Sequence, residues 1–181
     1  MHIVLTIFLI LVGILALVLI LALFMKKNYS IRSEILINAP RQKIFDFLKH
    51  LKNQDKFNKW AKADPNREWE YRGTDGTEGF IIAWKGNKDA GIGEKEILRL
   101  IDGEKIETEI RFEKPMRMTT GIHLETTTMP DGQTKVTMIN TGTMKWPMNL
   151  FIPMGEKKFP KDMETSLLAL KNLMENKQDA L

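Results

Sequence analysis

His123 is the first residue in this chain whose chemistry invites a role, because an imidazole on a strand could serve as a general base near neutral pH. Alternation argues against it. Met116, Met118, Ile122 and Leu124 share one strand face, and His123 falls on the other with Arg117 and Glu125, so a solvated surface side chain is expected. Glu94, Glu96, Glu107, Glu109 and Glu113 fall mostly on outward positions by the same reasoning, so no inward acid or base is expected and no catalytic residue is assigned. The three histidines are far apart in sequence and form no i, i+4 pair, which speaks against a metal site. Gly91-Ile92-Gly93 lacks the third glycine and the strand-to-helix setting of a nucleotide fingerprint. No cofactor is expected.

Apolar side chains carry more information. Nine of the eleven methionines lie from Met116 onward, and Met118, Met138, Met144, Met163 and Met174 sit where the period points them inward. Flexible thioethers suit either a loosely packed core or a pocket that accepts apolar ligands. Asn140 interrupts the inward row of Val136, Met138, Met144 and Trp146, where an amide without a partner would cost about 1 to 3 kcal/mol. It needs a ligand, a water or a neighbouring group. The expected pocket is therefore bounded by Trp84, Phe112, Met118, Met138 and Asn140 on strands, and by Met163, Leu167 and Leu170 on the last helix.

These side chains need elements to hold them. Met163, Leu167, Leu170 and Met174 recur at spacings of four, three and four, one stripe of a helix over Phe159 to Asn176. Pro160 suits its first turn, with Asp162 and Glu164 on the favourable side of the helix dipole. Pro153 interrupts the approach to that helix, so an irregular lid is expected there. Tyr29 to Ile37 alternates as a half-buried strand, and Asn38-Ala39-Pro40 opens a helix with Ile44, Phe45, Leu48 and Leu51 on one face. A short helix or turn carries Phe57 and Trp60. Strands then follow at Trp69 to Tyr71, Gly79 to Lys85, Ile92 to Ile101 and Ile106 to Phe112, punctuated by Asp75-Gly76 and Asp102-Gly103. The last hairpin joins Met116–Thr128 to Thr134–Trp146 through Pro130-Asp131-Gly132.

Ahead of all this runs an apolar segment. Ile3 to Met25 is broken only by Thr6 and Gly13, and as a helix it would span roughly 34 Å, enough for a bilayer core. It lacks the charged start and small-x-small site of a cleaved signal peptide, so a membrane anchor is expected over 1–28. Lys26, Lys27 and Arg32 follow it and no Lys or Arg precedes it, which by the positive-inside bias puts the domain, 29–176, in the cytoplasm; 177–181 is a tail.

Ile35-Leu36-Ile37-Asn38-Ala39-Pro40 followed by Ile44-Phe45 resembles the first strand and helix of the START-like, SRPBCC superfamily. Trp84-Lys85-Gly86-Asn87 with Ala90-Gly91-Ile92-Gly93, Phe112-Glu113-Lys114-Pro115, and Leu167 to Leu173 are similar to its polyketide cyclase/dehydrase and lipid-transport group. The resemblance implies an α+β helix-grip fold, a curved antiparallel sheet wrapped around a long C-terminal helix with a cavity between them. It implies less about chemistry, since one fold hosts carriers, cyclases and chaperone cofactors.

Composition narrows the function classes. A net charge of +4 over 181 residues, without a dense basic run interleaved with aromatics, argues against nucleic acid as a partner. Zero cysteines exclude disulfides, thiolate metal sites and a Cys nucleophile. The reading that remains is a membrane-anchored protein binding or transporting a hydrophobic small molecule or lipid. An enzyme of the cyclase or dehydratase kind, or a module that binds a protein partner in the same groove, stays open.

Overall fold

An extended chain that alternates apolar and polar residues can bury only one face, and this chain solves that by folding its alternating segments into a single sheet. The computed structural model describes residues 2–176, with strands β1 (Asn28–Ile37), β2 (Glu68–Arg72), β3 (Ile81–Lys85), β4 (Ile92–Ile101), β5 (Lys105–Lys114), β6 (Met118–Thr128) and β7 (Thr134–Thr143). They form one seven-stranded antiparallel sheet in the order β1-β7-β6-β5-β4-β3-β2. Helices α2 (Arg41–Lys49) and α3 (Leu51–Gln54) and a 3₁₀ turn (Lys59–Ala63) carry the chain from the β1 edge to the β2 edge. Helix α4 (Ile152–Glu175) lies along β1. The expected tail, 177–181, lies outside the described residues.

The stripe on α4 does what its spacing implies. Met163, Leu167, Leu170 and Met174 are buried with Ile31, Ile37, Val136 and Met138 of the sheet and Ile44, Phe45 and Leu48 of α2. At roughly 1.5 to 3 kcal/mol for each fully buried side chain of this size, that cluster is the main source of the domain's stability. A smaller cluster of Leu51, Phe80, Ile82 and Ile97 covers the β3–β4 side.

The boundaries that bear on the site differ from the sequence expectation. Helix α4 begins at Ile152 rather than near Phe159: Pro153 occupies the first turn, where a missing N–H is harmless, and Pro160 lies inside the helix. Asp162 is therefore a mid-helix residue, and it pairs with Lys59 across to the 3₁₀ turn instead of facing a helix N-terminus. Strand β7 stops at Thr143 and β6 starts at Met118, so Met116, Met144 and Trp146 lie beyond the ladder. Trp146 is 46% exposed and not part of an inward row.

Trp146 turns instead toward α1 (His2–Phe24), a helix long and apolar enough to cross a membrane. Its Nε1 donates to the carbonyl of Leu19 at 3.1 Å. Asn149, fully buried in a second 3₁₀ turn (Met148–Phe151), donates to the carbonyls of Ala22 (2.7 Å) and Met25 (3.3 Å) at the end of α1, where carbonyls run out of full intrahelical partners. Lys26 pairs with Glu156 of α4 at 2.7 Å, and Met144 N donates to Lys27 O at 2.8 Å. The junction is thus clamped rather than hinged. Replacing Asn149 with Ala should loosen it by about 1 to 3 kcal/mol, seen as faster tryptic cutting at Lys26 and Lys27 in the full-length protein. Unchanged cutting would mean that Asn149 does not hold the junction.

Candidate functional site

Cross-strand register lays out the inner face of the sheet as rows, and the rows show where the interior is filled and where it is hollow. Nearest the end from which α1 departs, Trp69, Trp84, Gly93, Phe112 and Met118 stand opposite one another in turn. Next come Ile82, Lys95, Ile110 and Thr120, and then Ile122, Asn140 and Ile31. The row after that, Ile106, Leu124, Met138 and Ser33, begins the packed core.

The rows nearest α1 border a cavity of about 330 Å³, closed opposite the sheet by Leu51, Gln54, Asp55, Trp60 and Phe159. Trp60 and Asp89 are the exposed residues of its lining and mark its opening. Trp84 meets Phe112 edge-on at 5.7 Å between centroids, and its Nε1 donates to the Ala90 carbonyl at 3.0 Å, which fixes the ring in the wall. Gly93 makes that possible, because a Cβ there would come within 2.9 Å of the Trp84 ring and 2.7 Å of the Arg111 carbonyl.

Of the eight expected pocket residues, Trp84, Phe112, Met118 and Asn140 line this cavity, and Met138, Met163, Leu167 and Leu170 do not. Met138 stands one row beyond Asn140 on the sheet and the other three lie on α4, all in the packed core and each 6% exposed or less. Asn140 has the partner its position called for: Thr120 Oγ1 donates to its Oδ1 at 2.6 Å, and Tyr29 Oη donates to Thr120 Oγ1 at 3.2 Å. The chain thus carries a short polar relay along one wall.

A second polar group escaped the sequence reading and corrects the expectation that no acid or base faces inward. Lys95 stands on the inner face between Ile82 and Ile110, donating to Gln54 Oε1, while Gln54 Nε2 is held by the Leu48 carbonyl at 2.9 Å. Burial lowers the Lys95 ammonium to about 8 and raises the nearby Asp55 carboxyl. Arg67 lines the same space with its guanidinium over the Trp69 ring, 4.0 Å from the centroid, and 3.6 Å from Asp55. The signal was present in the strand period: Glu94 and Glu96 are outward, so Lys95 between them had to be inward.

On the outer face, Arg111 binds Glu94 (2.8 Å), Glu96 (2.6 Å) and Glu109 (2.8 Å), which accounts for carboxylates that alternation put outside. His123 lies on that face as expected, but it is partly buried. Its Nδ1 is enclosed without a hydrogen-bond partner among the described residues, and its Nε2 is 3.5 Å from Thr141 Oγ1.

No protein-family model and no curated protein sequence matches the chain. Solved structures do match its backbone. The Aha1 dimer from Colwellia psychrerythraea is 20% identical, with 81% of this chain and 96% of that one covered at a TM-score of 0.53. Ara h 8.0201 is 14% identical, with 80% and 99% covered at 0.53. Both share the curved antiparallel sheet and long C-terminal helix. The domain has the START-like helix-grip fold. The helix-grip domain also aligns with half of a third protein, the di-domain ARO/CYC StfQ from the steffimycin biosynthetic pathway, at 11% identity, 84% and 52% coverage and a TM-score of 0.61. At such identities the likeness extends to the fold alone, and the cavity must be read from its own residues.

Proposed function

We propose that this chain is a membrane-anchored protein that binds, and can transfer, a hydrophobic small molecule or lipid held in the cavity between the sheet and the C-terminal helix, with the helix-grip domain on the cytoplasmic side. The observation that carries this reading is the hollow itself. Aromatic and thioether side chains wall about 330 Å³ of space at the end of the sheet joined to the apolar helix, where a core that only needed packing would have been filled. Lys26, Lys27 and Arg32 on the domain side of α1 support the orientation. A second reading, an enzyme of the cyclase or dehydratase kind, rests on Lys95, an amine tuned toward neutrality inside the pocket.

Native mass spectrometry of the full-length protein released from membranes without prior delipidation separates these. A copurifying apolar molecule of defined mass is expected. Conversion of that molecule on incubation, read as a new mass, would favour the enzyme. An empty cavity together with a bound protein would favour a protein-interaction module and overturn the proposal.

A further inference from the structure

The cavity is apolar on most of its wall, yet two cations project into it and neither is fully answered. The Arg67 side chain is 8% exposed, and its Nε is buried without a hydrogen-bond partner among the described residues. Among the described residues its guanidinium donates no hydrogen bond; its ion-pair contact, Asp55, is 3.6 Å away. Asp64 lies near enough to act on Arg67, but its two oxygens accept from the backbone N–H groups of Asn66 (3.0 Å) and Asn87 (2.7 Å). Lys95 has three N–H donors and gives one to Gln54. A buried charged donor left without an acceptor is costly, so a guanidinium held this way is a site waiting for an anion.

Resting on the reading that the cavity binds an apolar molecule, we propose that its ligand is an amphipathic monocarboxylate whose carboxylate sits between Arg67 and Lys95, its apolar body running along Ile110, Phe112 and Met118. The planar fork of arginine matches a carboxylate bidentately, and its place over the Trp69 ring restrains that fork. Lys95 supplies a second positive charge. Asp55 is the carboxylate that faces both cations from the interior lining, Asp64 is engaged by backbone N–H groups, and Asp89 stands exposed at the mouth. Size limits the body: about 330 Å³ is at the small end of the roughly 300–1,000 Å³ found for small-molecule pockets, which suits one acyl chain or a small ring system rather than a two-chain lipid.

The test is calorimetric titration of the full-length protein in lipid nanodiscs with decanoate, decanol and decyl phosphate, with empty nanodiscs subtracted. Decanoate should bind at least tenfold more tightly than decanol. Arg67→Gln and Lys95→Met should each remove most of that preference while leaving decanol affinity within about twofold, and Arg67→Lys should keep part of it because charge remains but the fork is lost. Equal affinity of the wild-type protein for decanoate and decanol overturns this proposal and leaves the apolar-ligand reading standing. Tighter binding of decyl phosphate than of decanoate also overturns it, and binding of none of the three removes both readings. The wild-type comparison needs no variant to fold.

Discussion

Leu167→Trp is expected to destabilise the domain by about 3 kcal/mol, whereas Ile122→Trp, with a comparable increase in side-chain volume, should cost less than about 1 kcal/mol. Leu167 is 1% exposed and enclosed by Met163, Leu170, Val136 and α2, so the larger ring can enter only by forcing neighbours out of their rotamers. Ile122 borders the cavity, where the space already exists. The same Ile122 substitution should abolish uptake of a fluorescent fatty-acid probe, because the indole takes the volume that the ligand needs. Urea midpoints at constant m-value measure the first effect and probe titration the second. Similar losses of stability in the two variants would show that the hollow and packed rows are not distinct.

The second large effect is in pH. Lys95 has a folded pKa of about 8 against 10.5 for the free side chain, so between those values the unfolded chain binds more protons than the folded one. Stability must therefore rise as pH goes from about 8 to about 10.5, by up to about 3 kcal/mol, as the penalty for burying an ammonium fades. Lys105 works the other way at still higher pH, since its hydrogen bond to Glu107 holds its pKa above the usual value. The difference between wild type and Lys95→Met isolates the effect: the variant's urea midpoint should lack this rise. A rise of equal size in both would assign it to another group.

The architecture was legible because its signals are local. Ile31, Ser33, Ile35 and Ile37 against Arg32, Glu34 and Leu36 needed only the period of a strand, and Asp102-Gly103 needed only a turn that tolerates positive φ, here +66° at Gly103. The start of α4 was less so, because Pro153 and Pro160 each satisfy the rule for a first turn, and what selects Pro153 is tertiary: Glu156 meets Lys26 and Asn149 caps α1. The site was half legible. Alternation identifies which face a residue takes but not how far along the strand the filling stops, so Met118 and Met138 looked equivalent until register put them three rows apart. Lys95 and Arg67 were missed because charges were sought in converging pairs, while here they are single residues brought together by the sheet and the loop before β2.

The clamp between α1 and the domain limits what one molecule can do. Asn149, Trp146 and Glu156 hold α1 at the same end of the sheet as the cavity opening beside Trp60 and Asp89. With α1 in a bilayer, as proposed above, the cavity would stay beside the membrane surface at which α1 ends, and search would be a two-dimensional affair on that surface. A domain on a long flexible tether could sweep between two surfaces; one clamped to its membrane helix in this way could not. It would act as a local extractor, lifting single molecules out of the lipid and presenting them to whatever collides with that surface, and long-distance delivery would fall to a soluble acceptor.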